Sequence, residues 1–203
     1  MVSTGSSVPA EEAEQIEQLQ AGDEAAFERL IRDHGGRMLV TTRRILHNEE
    51  DAQDAVQEAF LSAFKSIERF HGQSQLGTWL HRIAINAALM RLRSQRRRKE
   101  RDMESLLPSF TEEGGHFVEP PSSWSEPADA AAQRHEVQDL VRASIEQLPD
   151  NYRIPLLLRD IEELDNSQVA EHLDVTVNAA KIRVHRARQA LKALLDPHMG
   201  PGQ

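Results

Sequence analysis

The C-terminal part of the chain, residues 164–195, carries the pattern that most restricts how this sequence can fold. Apolar residues recur there at helical spacing on both sides of a short polar turn at residues 174–176. Asp165 and Gln168 have the spacing of a capping box, which marks the start of the first helix. A second helix is expected over about residues 177–195. The segment therefore predicts a helix-turn-helix.

The remainder of the chain shows helical periodicity and almost no strand pattern, so we expect an all-α fold. Two small helical domains are predicted, over residues 10–100 and 129–196. Residues 101–128 between them are rich in proline, glycine, serine and acidic side chains, which is typical of a flexible linker. Apolar stripes predict the core of the first domain, which includes Ile16, Leu19, Ala26, Phe27, Leu30, Ile31, Met38, Ala52, Ala55, Ala59, Ala63, Phe64, Ile67, Leu80, Ile85 and Leu89.

Capping residues and helix breakers give approximate helix boundaries. Asn48 is a predicted cap for a helix over about residues 49–67. Residues 71–75 break the helical pattern and are expected to form a loop, after which a long helix is predicted over about residues 78–99. In the second domain, one helix is expected to span about residues 149–164, and Pro155 is a candidate position for a kink in it.

Composition excludes several classes of protein. The chain has no cysteine, so disulfides and cysteine-based zinc sites are excluded and a reducing cytoplasm is expected. No apolar run approaches the roughly 20 residues that span a bilayer, and residues 1–10 lack the basic start of a signal peptide. The nine histidines show no metal-site spacing, and no glycine-rich phosphate loop or nucleophile motif occurs. We therefore expect neither a metal, nor a cofactor, nor enzymatic activity.

Charge is distributed in blocks along a chain whose net charge is −9. Residues 71–101 carry eight basic side chains and one acidic, and residues 177–203 carry five and one. Each block is by itself compatible with a solvated helix face. Two basic islands on two separate helical units, one of them the second helix of a helix-turn-helix, favour contact with nucleic acid, because such a helix can enter a DNA major groove.

Several ordered motifs resemble those of bacterial sigma factors, in the extracytoplasmic-function group whose compact members hold only regions two and four. Residues 51–60 (DAQDAVQEAF) are similar to region 2.2, and residues 70–86 (FHGQSQLGTWLHRIAIN) are similar to region 2.3 and the loop before it. Residues 148–160 (LPDNYRIPLLLRD) and the helix-turn-helix resemble region 4. The resemblance implies a subunit that binds core RNA polymerase, recognises promoter DNA and leaves catalysis to the polymerase.

The first motif places acidic side chains on one face of a helix. Asp51, Asp54 and Glu58 are spaced by three and four residues, and Gln57 lies beside them. Spacing alone also fits a solvated helix start, where acids are favoured. The resemblance implies that this face binds the clamp coiled coil of the polymerase β′ subunit, a basic surface that the acids would attract.

The second motif contains side chains suited to unpaired DNA. Bases of a melted strand are stacked on aromatic rings, and an asparagine side chain can both donate to and accept from a base edge. Phe70 and Trp79 are equally compatible with a place in the core. The resemblance implies that this motif captures a flipped base of the −10 element and holds its phosphates, through Phe70, His71, Ser74, Trp79, Arg82, Asn86, Arg91 and Arg93.

The third motif is the basic helix of the helix-turn-helix. Arginine can bind guanine through two hydrogen bonds, whereas lysine acts as a point charge on phosphate. The resemblance implies that the helix reads the −35 element while its domain contacts the β flap of the polymerase. Many relatives have Gly-Thr-Val-Lys-Ser-Arg where this chain has Asn-Ala-Ala-Lys-Ile-Arg at residues 178–183, so their −35 sequence does not transfer. The implied contact residues are Arg159, Lys181, Ile182, Arg183, His185, Arg186 and Arg188.

Two other functions remain open at this point. A conventional helix-turn-helix regulator binds duplex DNA without polymerase, commonly as a dimer on a palindrome. A helical adaptor would use its basic patches on acidic proteins and would show no salt-steep DNA affinity. The resemblance further implies an anti-sigma factor, often membrane-bound, that covers the polymerase-binding faces.

Overall fold

The computed structural model describes the backbone of residues 9–104 and 130–198, with side chains over 11–97 and 136–198. These ranges contain helices and no strand, which confirms the all-α fold. The chain divides into two compact units, Met1–Asp102 and Met103–Gln203. Within the described part of the chain, no helix is both long and apolar enough to cross a membrane.

The described residues of the first unit form four α-helices. Asp23 and Asn48 cap two of them, since their side chains accept hydrogen bonds from the backbone amides of Ala26 at 3.1 Å and Asp51 at 2.9 Å. The fourth helix begins two residues before the predicted start and continues to Glu104, into the predicted linker; the rest of that linker lies outside the described residues. The elements are α1 (Ala10–Gln20), α2 (Glu24–Leu46), α3 (Glu49–Ser66), a 3₁₀ turn (Ile67–Arg69) and α4 (Leu76–Glu104).

Small side chains bring α2 and α3 close together. The face of α3 that meets the core is almost entirely alanine, and the Thr42 hydroxyl of α2 donates to the backbone carbonyl of Ala52 at 3.2 Å. Ile31 and Phe64, predicted to face the core, are instead 49% and 57% exposed. Because the alanine interface is narrow, the wider apolar stripe of each helix extends beyond the contact. The other predicted core residues that are buried include Ile16, Leu19, Ala26, Leu30, Met38, Ile67, Leu80, Ile85 and Leu89.

The second unit contains the helix-turn-helix. The helix predicted over 149–164 is irregular close to Pro155, because it changes to π-helical geometry after Leu156, and it ends at Ile161, earlier than predicted. In the π turn, the Glu162 amide donates five residues back to Leu157, at 2.9 Å. The described elements are α5 (Ala130–Glu146), α6 (Asp150–Leu156), the π turn (Leu157–Ile161), α7 (Asn166–Leu173) and α8 (Val177–Leu195).

Local hydrogen bonds set the geometry of the turn between α7 and α8. The Asp165 side chain accepts from the backbone amides of Ser167 at 2.8 Å and Gln168 at 2.9 Å, and Gln168 reciprocates on the Asp165 amide. The predicted capping box is therefore confirmed. Asp174 ends α7 in the left-handed conformation (φ 54°), and the Thr176 hydroxyl caps α8. These short-range features hold α8 at a defined angle to α7.

Candidate docking and nucleic-acid interfaces

The acidic face of α3 is joined to α4 by one arginine. Arg91 places Nε 2.8 Å from Asp51 Oδ1, Nη2 2.6 Å from Asp54 Oδ2 and Nη1 3.4 Å from Glu58 Oε1. The hydrogen bond to Asp51 raises the pKa of Arg91, which stays cationic. Three carboxylates facing one guanidinium leave an excess of negative charge on this face. The structure thus brings three predicted docking residues together and adds Arg91, which sequence reasoning had placed on DNA phosphates.

An apolar groove lies beside this acidic face, between α2 and α3. Its volume is about 840 Å³. Leu61 is 54% exposed in its wall, next to the exposed predicted docking residue Gln57. The groove is lined by Gly22, Glu24, Phe27, Ile31, Gly35, Leu39, Gln53, Val56, Gln57, Phe60, Leu61 and Phe64. An apolar groove beside an acidic face suits a partner that presents apolar side chains next to basic ones.

Sequence reasoning missed the groove because it assigned the apolar stripes of α2 and α3 entirely to the core. The signal was present: four of the apolar positions on α3 are alanine, which covers little surface, while Phe60, Leu61 and Phe64 are large. The centroids of the Phe27 and Phe64 rings lie 4.7 Å apart, so these two side chains of the groove wall pack against each other. Gly35 adds depth, since a Cβ there would lie 3.8 Å from the Phe60 ring.

The loop at 71–75 presents the predicted base-capture residues unequally. Phe70 is only 7% exposed and stacks on Trp79 with ring centroids 4.8 Å apart. A buried ring cannot also stack on a base, so Phe70 supports the loop from the core, through its contact with Trp79. His71 is exposed, whereas Ser74 and Trp79 are half-buried at the surface.

One face of α4 continues from this loop. Trp79, Arg82, Asn86 and Arg93 recur at intervals of three, four and seven residues, which aligns them along the helix. Asn86 and Arg93 are exposed, and Arg82 is half-buried. Met90 lies in the same row and is 66% exposed, a position that sequence reasoning did not single out. The row offers an aromatic ring, an amide and two cations, which together can bind an unpaired strand.

The outer face of α8 carries the predicted major-groove residues. Ala180, Val184 and Ala187 are buried against the rest of the unit, so the opposite side of the helix faces outward. Asn178 is also exposed, one turn before Lys181, and its amide is suited to reading adenine. Sequence reasoning noted Asn178 only as a departure from relatives. The exposed predicted residues are Lys181, Ile182, His185 and Arg186, and Arg183 is half-buried.

Two predicted DNA-binding arginines have partners inside the unit. Arg188 binds Asp160 through Nε at 2.9 Å and Nη2 at 2.5 Å. Arg159 Nη1 donates to the backbone carbonyl of Leu164 at 3.2 Å. The first contact joins α8 to the π turn, and the second joins the π turn to the residues just before α7. Both arginines therefore stabilise the helix-turn-helix. Arg188 and Asp160 are 28 residues apart, which is why spacing along a single helix did not reveal the pair.

Metal-ligating side chains are not clustered in the part of the chain that the structure describes: it holds no group of three or more such residues.

Both units match known families. Residues 30–98 match the family described as Sigma-70 region 2, and residues 138–191 match the family described as Sigma-70, region 4. The two matches come in this order along the chain and fall one in each compact unit.

Curated relatives match over nearly the whole chain. The RNA polymerase sigma-H factor of Pseudomonas aeruginosa is 34% identical over 183 residues, covering 90% of this chain and 92% of the relative. The ECF RNA polymerase sigma-E factor of Escherichia coli K12 is 31% identical over 183 residues, covering 90% and 93%.

Two solved structures share the fold. CnrH, solved in complex with the cytosolic domain of CnrY, is 24% identical with a TM-score of 0.53, covering 92% of this chain and 97% of that chain. The sigma factor RpoE of Bartonella quintana, solved with the anti-sigma factor NepR, is 21% identical with a TM-score of 0.55, covering 84% and 96%.

Proposed function

The chain belongs to the sigma-70 family of bacterial RNA polymerase sigma factors, in the extracytoplasmic-function (ECF) group, and we infer from that membership how it acts. It is an alternative sigma factor that binds core RNA polymerase and directs promoter-specific initiation of transcription. The observation that carries this conclusion is the ordered pair of region 2 and region 4 matches, one in each unit. Sigma factors are initiation factors without catalytic activity, so RNA synthesis belongs to the polymerase.

The proposed polymerase-docking surface combines the acidic face and the groove. The family resemblance names the β′ clamp coiled coil as the partner of the acidic face, which consists of Asp51, Asp54, Gln57 and Glu58. A helical ridge with apolar side chains in the groove and basic ones beside α3 would satisfy both features. In this arrangement the apolar contact supplies affinity, and the acids speed association and fix the register. Arg91 then keeps the acidic side chains in place instead of binding phosphate.

The proposed −10 interface is the loop at 71–75 with the row of side chains on α4. Asn86 is suited to reading the edge of a flipped base, and Trp79 and His71 are suited to stacking. Arg82 and Arg93 would bind phosphates of the unpaired strand. Phe70 would contribute indirectly, by supporting the Trp79 ring that it contacts.

The proposed −35 interface is the outer face of α8. Lys181, Ile182, His185 and Arg186 are exposed together, which supports insertion of this helix into a major groove. Arg183 would bind backbone phosphate. The same domain would contact the β flap of the polymerase, as the resemblance implies.

An anti-sigma factor is the proposed inhibitor. One similar solved structure is the complex of the sigma factor RpoE with the anti-sigma factor NepR, and the other is the complex of CnrH with the cytosolic domain of CnrY. The exposed apolar groove supports the proposal, because a groove left open in the absence of polymerase is one that an inhibitor can cover. The protein would work in the cytoplasm, where polymerase and promoter DNA are found, with or without tethering of the inhibitor to a membrane.

Run-off transcription tests the function directly. Sigma-free core polymerase is combined with this protein and a library of promoter fragments. Transcripts with defined starts are expected, and their templates reveal both promoter elements. Absence of transcripts together with absence of a core complex on a sizing column would instead support a conventional regulator that binds duplex DNA alone.

A matched pair of substitutions tests the docking surface. Leu61→Ser removes an exposed wall of the groove, whereas Val40→Ser makes the same kind of change at an exposed position of α2 (44%) outside it. Leu61→Ser is expected to weaken core binding about ten-fold, near the lower end of the roughly 1.5–3 kcal/mol for full burial of a leucine side chain, because only the exposed 54% of Leu61 remains to be covered. Val40→Ser should bind like the wild type. Equal affinities for both variants in a fluorescence-anisotropy titration with core polymerase would exclude the groove.

A further inference from the structure

The last residue of α1 holds one end of the loop at 71–75, which belongs to the proposed −10 interface. The Gln20 side-chain amide donates to the backbone carbonyl of Ile67 at 3.2 Å and to that of Phe70 at 3.0 Å. These carbonyls lie in the 3₁₀ turn and at the last residue before the loop. The Gln20 side chain therefore holds the backbone directly before the loop, at positions 47 and 50 residues away in sequence.

The other end of the loop is held by α1 as well. The half-buried Glu12 carboxylate accepts a hydrogen bond from the backbone amide of Leu76, the first residue of α4. A carboxylate at this position binds an amide that has no partner within its helix, and it interacts favourably with the positive end of the helix dipole. His34 of α2 packs against the same turn, 3.0 Å from where a Cβ on Gly77 would lie.

We propose that Glu12 and Gln20 are positioning residues for −10 recognition: α1 fixes both ends of the loop at 71–75 before promoter DNA arrives. The proposal rests on the function proposed above. Only five residues lie between the two anchored ends, and Gly72 among them adopts a positive φ of 66°, which a side chain would strain.

A fixed loop binds an unpaired strand more tightly because the ordering cost is met during folding rather than on binding. Neither α1 residue needs to touch DNA for this effect. Loss of either anchor leaves one end of the loop to be ordered by the DNA itself, and the affinity for the flipped base falls accordingly.

The experiment measures binding of reconstituted holoenzyme to a fork-junction DNA that carries the −10 sequence found by run-off transcription, with 2-aminopurine at the unpaired base. Glu12→Ala and Gln20→Ala are each expected to weaken binding about ten-fold, because the DNA must then order the end of the loop that the removed side chain held. Glu12→Gln keeps the accepting oxygen and should recover most of the affinity. Glu11→Ala removes an exposed acid from the same helix and is the matched control.

Three readouts separate positioning from other roles. A structural defect alone lowers the melting temperature and weakens core binding, while leaving the ratio of affinities for the selected fork and one with a changed −10 base unaltered. Positioning lowers that ratio and preserves core affinity. If Glu12 acts only as a charge near DNA, both Glu12→Ala and Glu12→Gln bind more tightly than the wild type, which overturns the proposal.

Failure of this proposal is distinguishable from failure of the proposed function. A wild-type protein that supports no promoter-dependent transcript contradicts the function. A wild-type protein that supports transcription, with Glu12→Ala and Gln20→Ala equal to it in affinity and base discrimination, contradicts only the role of α1.

Discussion

Ile182 illustrates how a single exposed side chain can set specificity. It is 44% exposed on the outer face of α8, next to Lys181 and one turn before His185 and Arg186. The neighbouring cations can bind phosphate or guanine, but an aliphatic side chain has no hydrogen bond to offer. Its favourable contact in a major groove is the methyl group of thymine. The residue therefore predicts a thymine in the −35 element of this protein.

This contact can be tested by removing the methyl group of the thymine, or by truncating the isoleucine side chain that covers it. Ile182→Ala, or replacement of the contacted thymine by uracil, is expected to weaken −35 binding about four-fold, from roughly 0.8 kcal/mol for burial of one such group. Both changes together should weaken binding no more than one alone. Additive losses in a filter-binding titration would mean that Ile182 and the thymine do not touch.

At the scale of an element, α7 depends on a charged cap. The hydrogen bond from the Ser167 hydroxyl, followed by that from the Gln168 amide, lowers the pKa of Asp165 below its ordinary value of 3.8. A carboxyl group whose pKa is lower in the folded state stabilises the fold above its unfolded pKa. That contribution is lost as the pH falls below about 4, through the folded pKa.

The predicted consequence is an acid-dependent loss of stability in the second unit that Asp165→Asn reduces. Asparagine still accepts the capping hydrogen bonds but does not titrate. Urea unfolding, followed by circular dichroism from pH 6 to about pH 2, measures the slope of the free energy of unfolding against pH. Asp174→Asn removes an exposed acid at the other end of α7 and controls for net charge. A variant at Asp165 with the full wild-type slope would show that the cap does not contribute.

At the scale of the whole molecule, each unit has its own apolar core. The first is formed by residues from all four of its described helices, and Leu19 of α1, Leu30 of α2 and Leu80 of α4 are almost fully buried in it. The second surrounds Leu158, which has no exposed surface, and Val169 of α7. Separate cores mean that the polymerase-docking surface and the −35 helix depend on different sets of packing contacts.

A cavity in one core is therefore expected to leave the other intact. Leu158→Ala should lower the free energy of unfolding of the second unit by about 2–5 kcal/mol. Calorimetry should show one transition shifted and one unchanged. The variant should lose −35 binding but retain core polymerase binding through the first unit. Loss of both activities, with a single shifted transition, would indicate that the units unfold together.

The helices could be predicted from the amino-acid sequence, because the signals for them are local. Apolar spacing, the caps at Asp23, Asn48 and Asp165, and the turn at 174–176 each involve residues a few positions apart. The same local spacing placed Lys181, Ile182, His185 and Arg186 on one exposed face of α8. The family resemblance then connected these elements to RNA polymerase and promoter DNA.

The partners of the side chains, in contrast, depend on how the helices pack. Arg91 and Arg188 have the sequence context of DNA-binding residues, yet each binds carboxylates that are 28 to 40 residues away. The groove exists because alanines draw α2 and α3 together and leave larger apolar side chains at the edge. Glu12 reaches Leu76 across 64 residues. Contacts of this range depend on how helices pack, and spacing along one helix carries no information about packing.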